Sequence, residues 1–357
     1  GRHIYPATTH NTMMFFTRNG RCFWMKVYEI PEGGKTFKGR ALQNLLNIDS
    51  DDKATAFICI ENINDQDFVK HHNLIFCTKR ATVKKTRFEL YSHPRSNGLN
   101  AINLQEGDEV IEVALTSGND DIIIANHNGR AIRFNENKVR LMGRVSPGVR
   151  GMRLDDDDDE AVGMLVMNCN EMLTEDQWNA MDALAVDDTD TLDVPDAQET
   201  LESPELQDTQ EMSESLFDQD ILVVSEKGFG KRSGLAEYRI TGRGGKGVKT
   251  LNVTEKTGKL IAIEAVTDDD DLLIITGQGV IIRVSASEIP TLSRATSRVR
   301  LMKSKNASVV DFALTDREEP EEVSEDGSAE GEIPEGQPEA GVNEDASKEA
   351  ENRTGDD

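Results

Sequence analysis

"IIIANHNGRAIRFNENKVRLM", residues Ile122–Met142, decides how this chain folds. An unbroken apolar run reaches a polar turn at Gly129, and a second run follows that mixes bases with Ala131, Ile132 and Phe134. Both runs are short, β-branched or aromatic, and bounded by Asn and Gly, so they read as strands. The pattern recurs as "MMFFTRNGRCFWMKVYEIP" from Met13 and "LIFCTKRATVKKTRFELYSHP" from Leu74. It returns as "ILVVSEKGFGKRSGLAEYRIT" from Ile221 and "LLIITGQGVIIRVSASEIPTL" from Leu272. After each pair comes a Gly-containing loop with a third strand, as in "GVRGMRL" from Gly148, "GVKTLNV" from Gly247 and "RVRLMKS" from Arg298. A fourth strand closes each unit: "ATAFICI", "EVIEVAL", "AVGMLVM", "LIAIEAV" and "SVVDFAL".

Four strands in about 50 residues is the arithmetic of a propeller blade. The sequence predicts an all-β, propeller-like array of four-stranded blades whose shared core forms by stacking. The apolar first run of each unit is expected to be innermost, and His3–Thr9 to be the last strand of an upstream unit. No WD or GH signature is present, which sets aside an ordinary WD40 propeller.

The formal charge of -26 misleads about this body. Residues 155–218 hold 22 acids and no Lys or Arg, and residues 316–357 hold 17 acids against 3 bases, so the remainder carries +10. The domain reading is therefore a blade array over 1–315, interrupted by an acidic insert at 155–218, and an acidic tail at 316–357. The tail has no aromatic residue and too little apolar surface to offset chain entropy, which predicts disorder. Within the insert, "LTEDQWNAMDAL" (Leu173–Leu184) has helical spacing. Cys22, Cys59, Cys77 and Cys169 form no CxxC pair, which fits a reducing cytoplasm. No apolar run approaches the roughly 18 residues of a membrane span. The opening lacks Met and enters mid-pattern, as a piece of a longer protein would.

The stretch "RITGRGGKGVKTL" (Arg239–Leu251) raises the functional question. A phosphate-cradling P-loop needs G-x4-G-K-[ST], but Gly245–Lys246 is followed by Gly247 and preceded five residues earlier by Ile240. A dinucleotide loop needs a strand-to-helix junction, and a strand follows instead. Tight turns explain the glycines but not the bases among them. Bases recur on corresponding strands and loops, where they suit a phosphate backbone. The candidate contacts are Arg18, Arg21, Lys84, Lys85, Arg130, Arg133, Lys231, Arg232, Arg239, Arg243, Lys246, Lys249 and Arg298, with Gly242, Gly244, Gly245 and Gly247 as the loop that lets phosphate approach. Alternation in "TVKKTRF" and "RAIRF" is expected to place Lys84, Arg130 and Arg133 in solvent.

Other chemistry is poorly supported. His71–His72 lacks metal-ligand spacing, and "DDDDDE" (Asp155–Glu160) lacks the alternating ligands and glycine of an EF-hand. Trp24 and Phe23 read as strand core residues.

Arg243-Gly244-Gly245-Lys246-Gly247 resembles the core of the glutamine-arginine-arginine-glycine-glycine-lysine-glycine box of DNA gyrase A subunits. The repeat over residues 3–315 resembles that subunit's C-terminal β-pinwheel, and an acidic tail after the last blade is similar too. The resemblance implies wrapping of double-stranded DNA around the rim, for ATP-dependent negative supercoiling. It implies as partners a gyrase B subunit and a second A subunit, with ATP and magnesium in the parent complex and no cofactor on this chain. The family's catalytic tyrosine lies outside this resemblance; Tyr5, Tyr28, Tyr91 and Tyr238 read as blade residues. Two departures stand: the loop lies in the fourth unit rather than the first, and Thr241 and Gly242 replace Gln and Arg. Alternatives are the C-terminal domain of the topoisomerase IV A subunit and, in another class, a propeller-like protein-binding scaffold.

Overall fold

In the computed structural model, which describes residues 7–31, 45–168, 170–183, 219–294, 299–302 and 308–316, the repeat becomes five antiparallel sheets. Each unit opens with a hairpin: β1 (Thr12–Thr17) and β2 (Arg21–Lys26), β4 (Asn73–Thr78) and β5 (Thr82–Arg87), β8 (Asp121–Asn126) and β9 (Arg130–Asn135), β12 (Asp220–Ser225) and β13 (Phe229–Gly234), β16 (Asp270–Thr276) and β17 (Ile281–Ser285). A single 3-10 turn follows each hairpin, at Val27–Glu29, Phe88–Tyr91, Glu136–Lys138, Leu235–Glu237 and Ala286–Glu288. The closing strands are β3 (Ala54–Ile60), β7 (Val110–Thr116), β11 (Ala161–Met167), β15 (Leu260–Val266) and β19 (Val309–Asp316).

The short third strands do not join their own units. β6 (Leu99–Asn100) pairs with β2, β10 (Val149–Arg150) with β5, β14 (Val248–Lys249) with β9, and β18 (Val299–Arg300) with β13. Each blade thus receives its outermost strand from the following unit, and the fifth sheet has three strands among the described residues. Glycine makes the crossing possible. Gly98, Gly148 and Gly247 have φ of 66°, 92° and 69°, and a Cβ at Gly148 would lie 2.6 Å from the Val83 carbonyl oxygen. A two-residue strand has no periodicity of its own, so the sequence assigns it to the nearest unit when the structure assigns it to the neighbour.

The innermost position also differs from expectation. β3, β7, β11 and β15 pack against one another in succession, so the closing strands lie innermost and the apolar first runs lie second. Those runs are apolar throughout because alternate side chains enter two different cores. Leu74 and Phe76 pack with Met14 and Phe16 of the preceding blade, whereas Ile75 and Cys77 pack with Ile122 and Ile124 of the following one. The same division continues through Ile123 and Ile221, then Leu222 and Leu272.

The segment read as an acidic insert begins inside the body. It contains β11, and it contains the expected helix, at Glu175–Ala183. Trp178 is buried against Gly118, where a Cβ would crowd Leu173 and the indole. The Arg87 guanidinium lies 4.5 Å from the Trp178 ring centroid and its Nε donates to Asp182 at 2.6 Å. Residues 184–218, the 316–357 tail beyond Asp316, His3–Pro6, Cys169 and Arg298 lie outside the described residues, and Ala7–Thr9 form no strand.

Candidate nucleic-acid interface

Two sets of bases recur among the blades, and they lie in opposite surroundings. On the second strands Lys84, Lys85, Arg133, Lys231 and Arg232 are all buried. The expectation that Lys84 and Arg133 face solvent is therefore corrected, because a neighbouring blade covers that face. Ionised groups buried this deeply require partners, and they find them in the next unit. Lys85 Nζ donates to the Glu136 carbonyl at 2.9 Å; Arg133 Nη1 donates to the Leu235 and Tyr238 carbonyls, both at 3.2 Å; Arg232 Nη1 donates to the Ala286 carbonyl at 2.6 Å. In the first blade Trp24 takes the same position and donates to the Tyr91 carbonyl at 3.1 Å. Each donor thus latches a blade to the 3-10 turn of the unit after it. Carboxylates complete the charge balance: Arg133 Nη2 lies 2.6 Å from Asp121, Arg232 Nη2 lies 3.1 Å from Asp220, and Lys85 lies 3.7 Å from Glu136.

Lys84 and Lys231, one residue earlier, hold the rim loops. Lys84 Nζ donates to the Tyr91 hydroxyl at 3.2 Å and to the carbonyls of Ala101 and Arg144. Lys231 Nζ donates to the carbonyls of Ser293, at 3.3 Å, and Arg294. Burial, with the Arg294 charge nearby, pushes the Lys231 amine down to about 8. These five residues are buried and tie blades together.

The second set lies on the outermost strands. Arg150, Lys249 and Arg300 each end a two-residue exchanged strand and are exposed, with Asn100 at the same place in the first blade. The repeated spacing Arg144–Arg150, Arg243–Lys249 and Arg294–Arg300 marks them, and it was present in the sequence as Arg-x5-Arg/Lys. Sequence reasoning found Arg243 and Lys249 but missed Arg144, Arg150, Arg294 and Arg300.

The glycine-rich loop lies over the rim of the preceding blade. Gly244 N–H donates to the Gly151 carbonyl at 2.7 Å, and Arg153 N–H donates to the Gly245 carbonyl at 2.9 Å. A Cβ at Gly247 would collide with the Ala131 carbonyl, whereas one at Gly242 would meet nothing within 4 Å. Gly244 has a φ of 80° and Gly242 no positive φ, so only part of the loop's glycine is demanded by the fold. Arg239, Lys246 and Lys249 are exposed. Asp155 lies 3.3 Å from both Lys246 Nζ and Arg130 Nε, so the acidic run reaches into the basic loop. Arg21 Nη2 donates to the Asn97 carbonyl at 2.7 Å, and Arg18 to the Asp51 carbonyl. His71 bridges Asp67 and Glu175, and His72 stacks on Phe68.

Blades that exchange their outer strands and carry bases along that outer edge define a propeller-type repeat domain with a basic rim. The chain belongs to the family described as the DNA gyrase C-terminal domain, beta-propeller, which matches residues 11–61, 72–117, 120–168, 219–267 and 270–316. The matched blocks coincide with the five units. The DNA gyrase A subunit of Staphylococcus epidermidis is 33% identical over 301 residues, covering 84% of this chain and 28% of the relative. Its Staphylococcus aureus counterpart is 32% identical over 323 residues, covering 90% and 31%. This chain therefore spans under a third of the curated relatives it matches. Among solved structures, the C-terminal domain of a DNA topoisomerase IV aligns with a TM-score of 0.64 at 22% identity, covering 86% of this chain and 80% of that one. A DNA gyrase A C-terminal domain aligns with a TM-score of 0.61 at 19% identity, covering 86% and 83%. Those two likenesses speak to the fold. No helix among the described residues is long and apolar enough to cross a membrane.

Proposed function

We propose that this chain binds double-stranded DNA along the blade rim, bends it, and presents it for ATP-dependent negative supercoiling. In this reading it works within a cytoplasmic assembly containing a gyrase B subunit and a second A subunit. The chain itself contributes no catalytic residue and holds no cofactor; ATP and magnesium belong to the assembly. The observation that carries the reading is the exposed base at the same place on successive rim strands, Arg150, Lys249 and Arg300. A row of cations along the blade edges neutralises phosphates without reading bases, which gives affinity without sequence preference. Contacts on successive blades force a rigid duplex to curve, at an elastic cost of order several kcal/mol for a short site. Arg239, Lys246 and, from sequence alone, Arg298 extend the same edge, whereas the Arg243 guanidinium is turned back onto the Lys138 and Arg150 carbonyls. Arg21 and Arg130 pair in register with the rim residues Asn100 and Lys249 and join the same edge, with Arg18 in the adjoining hairpin turn.

The test is end-to-end fluorescence transfer on a duplex of several helical turns, titrated with this chain. Transfer should rise to saturation. Arg150→Gln with Lys249→Gln should lower the log–log salt slope by about 0.9 for each phosphate no longer neutralised. A retained slope would remove these two residues from the interface, and binding without added transfer would leave a binding domain that does not wrap. The same assay with a protein ligand in place of DNA addresses the scaffold reading. The box-like loop and the gyrase relatives favour gyrase over topoisomerase IV.

A further inference from the structure

Arg144, Arg243 and Arg294 occupy the same position in three successive units, six residues before the exposed rim residue. Each reaches back across a blade boundary. Arg144 Nη1 donates to the Asn100 carbonyl at 2.6 Å, Arg243 Nη1 to the Arg150 carbonyl at 3.1 Å, and Arg294 Nη1 to the Lys249 carbonyl at 2.5 Å. The acceptor is in every case the second residue of the preceding rim strand. Two of the three fork further in the same way: Arg243 Nε donates to the Lys138 carbonyl at 2.9 Å and Arg294 Nε to the Glu237 carbonyl at 3.1 Å. Lys138 and Glu237 each end the 3-10 turn of the preceding unit.

We infer that these arginines form a ladder of positioning residues that fixes the DNA-contacting bases of one blade relative to the next. The inference rests on the rim being the DNA-binding edge. Its physical basis is that each rim strand is two residues long and pairs through only two positions, Val149 and Arg150 in β10, Val248 and Lys249 in β14. So short a strand is held weakly by its own ladder. A guanidinium from the next unit adds a charge-assisted bond to the peptide that carries the base, and its planar fork can hold two carbonyls at once. A lysine retains the charge but, as a single point donor, cannot span both carbonyls. The backbones of Arg144 and Arg294 are in turn held by the buried amines of Lys84 and Lys231. The rungs therefore stand on the interior of the preceding blade and pass its orientation outward to the rim.

The experiment uses the whole chain with Arg243→Lys and Arg294→Lys, compared with Arg243→Gln and Arg294→Gln and with Arg144→Lys as the mildest single variant. The first readout needs no DNA. Amide hydrogen exchange in peptides covering 149–150 and 248–249 should quicken about tenfold in both double variants, the loss expected for one charge-assisted bond. The second readout is DNA. The Lys variant should keep its low-salt affinity and salt slope while its saturating fluorescence transfer falls by at least about half, since charge is kept and geometry lost. Unchanged exchange at both strands overturns the ladder outright. Quickened exchange with full transfer overturns its role in setting the path of DNA. A slope lowered by about 0.9 per arginine in the Gln variant, with full transfer kept in the Lys variant, would make the arginines themselves the sites of DNA contact and overturn the positioning role. If the parent chain fails to bind DNA, the proposed function falls, and the exchange data still judge the stitch.

Discussion

Replacing Arg133 with Met tests the claim that buried bases of the second strands are latches rather than DNA contacts. The side chain is 5% exposed, and its departure leaves the Asp121 carboxylate, 1% exposed, without the guanidinium 2.6 Å away. Asn135 and Asn170 amides, each at 3.3 Å from Asp121, would remain as partial compensation. The carbonyls of Leu235 and Tyr238 lose a donor in the same step. Breaking a buried pair by removing one partner costs about 3–5 kcal/mol. Arg133→Met with Asp121→Asn should recover part of that loss, because no uncompensated charge remains. Urea unfolding followed by circular dichroism gives the stability change, with near-neutral values for the double variant expected to lie well above the single one. The DNA salt slope of folded Arg133→Met should match the parent, since a buried base releases no counterion. A stability within about 0.5 kcal/mol of the parent, or a slope lowered by about 0.9, would refute the latch.

Gly247→Ala forces φ of 69° on a residue with a Cβ and drives it into the Ala131 carbonyl, so a loss of about 2 kcal/mol or more is expected, while Gly242→Ala should change melting by little. Burial raises Glu264 to about 7 from an ordinary 4.5, so the native state holds a proton that the unfolded state has released. Stability from this group accordingly falls as pH rises from about 4.5 to 7; Glu264→Gln should abolish the decline and gain at most about 3 kcal/mol above pH 7, measured by urea titrations across that range. Asp155→Asn releases Lys246 and Arg130 and should tighten DNA binding at low salt, with the gain shrinking as salt rises; equal affinities would show the pairs to be inert. Trp178→Ala should free the helix Glu175–Ala183 from Gly118 and Arg87 and speed proteolysis within 175–183 at unchanged melting of the blades.

Period-two patterning over runs such as Ile122–Ala125 and Leu74–Cys77 made the strands, the repeat and the blade count legible, because alternate burial in two cores leaves an unbroken apolar signature. The helix at 175–183 was legible from a different period, the helical spacing of its apolar residues, of which Trp178 is buried. Strand exchange was not: Val149–Arg150 is too short to carry a pattern, and what commits it to the neighbour is a positive φ at Gly148 and the space beside Val83. The site was half legible. Lys85, Arg133 and Arg232 look like surface bases on an alternating strand, yet the facing blade supplies carbonyls that the sequence separates from them by 51, 102 and 54 residues. Arg150 and Arg300 escaped notice because their significance lies in an offset shared between units, not in any local motif.

The exchanged strands give the repeat a direction and blur its borders. Among the described residues no unit builds a four-stranded sheet by itself: the sheet begun by residues 121–167 is finished only by Val248–Lys249, across the acidic segment. During synthesis each blade must therefore wait, with one edge open, for the unit behind it to emerge. A cut at a repeat boundary damages two blades, stripping an edge from one and leaving the donated strand of the other without a host. Fragments intended to fold should end beyond a donated strand, and a duplication or loss of one repeat in evolution must be accepted by the neighbours on both sides.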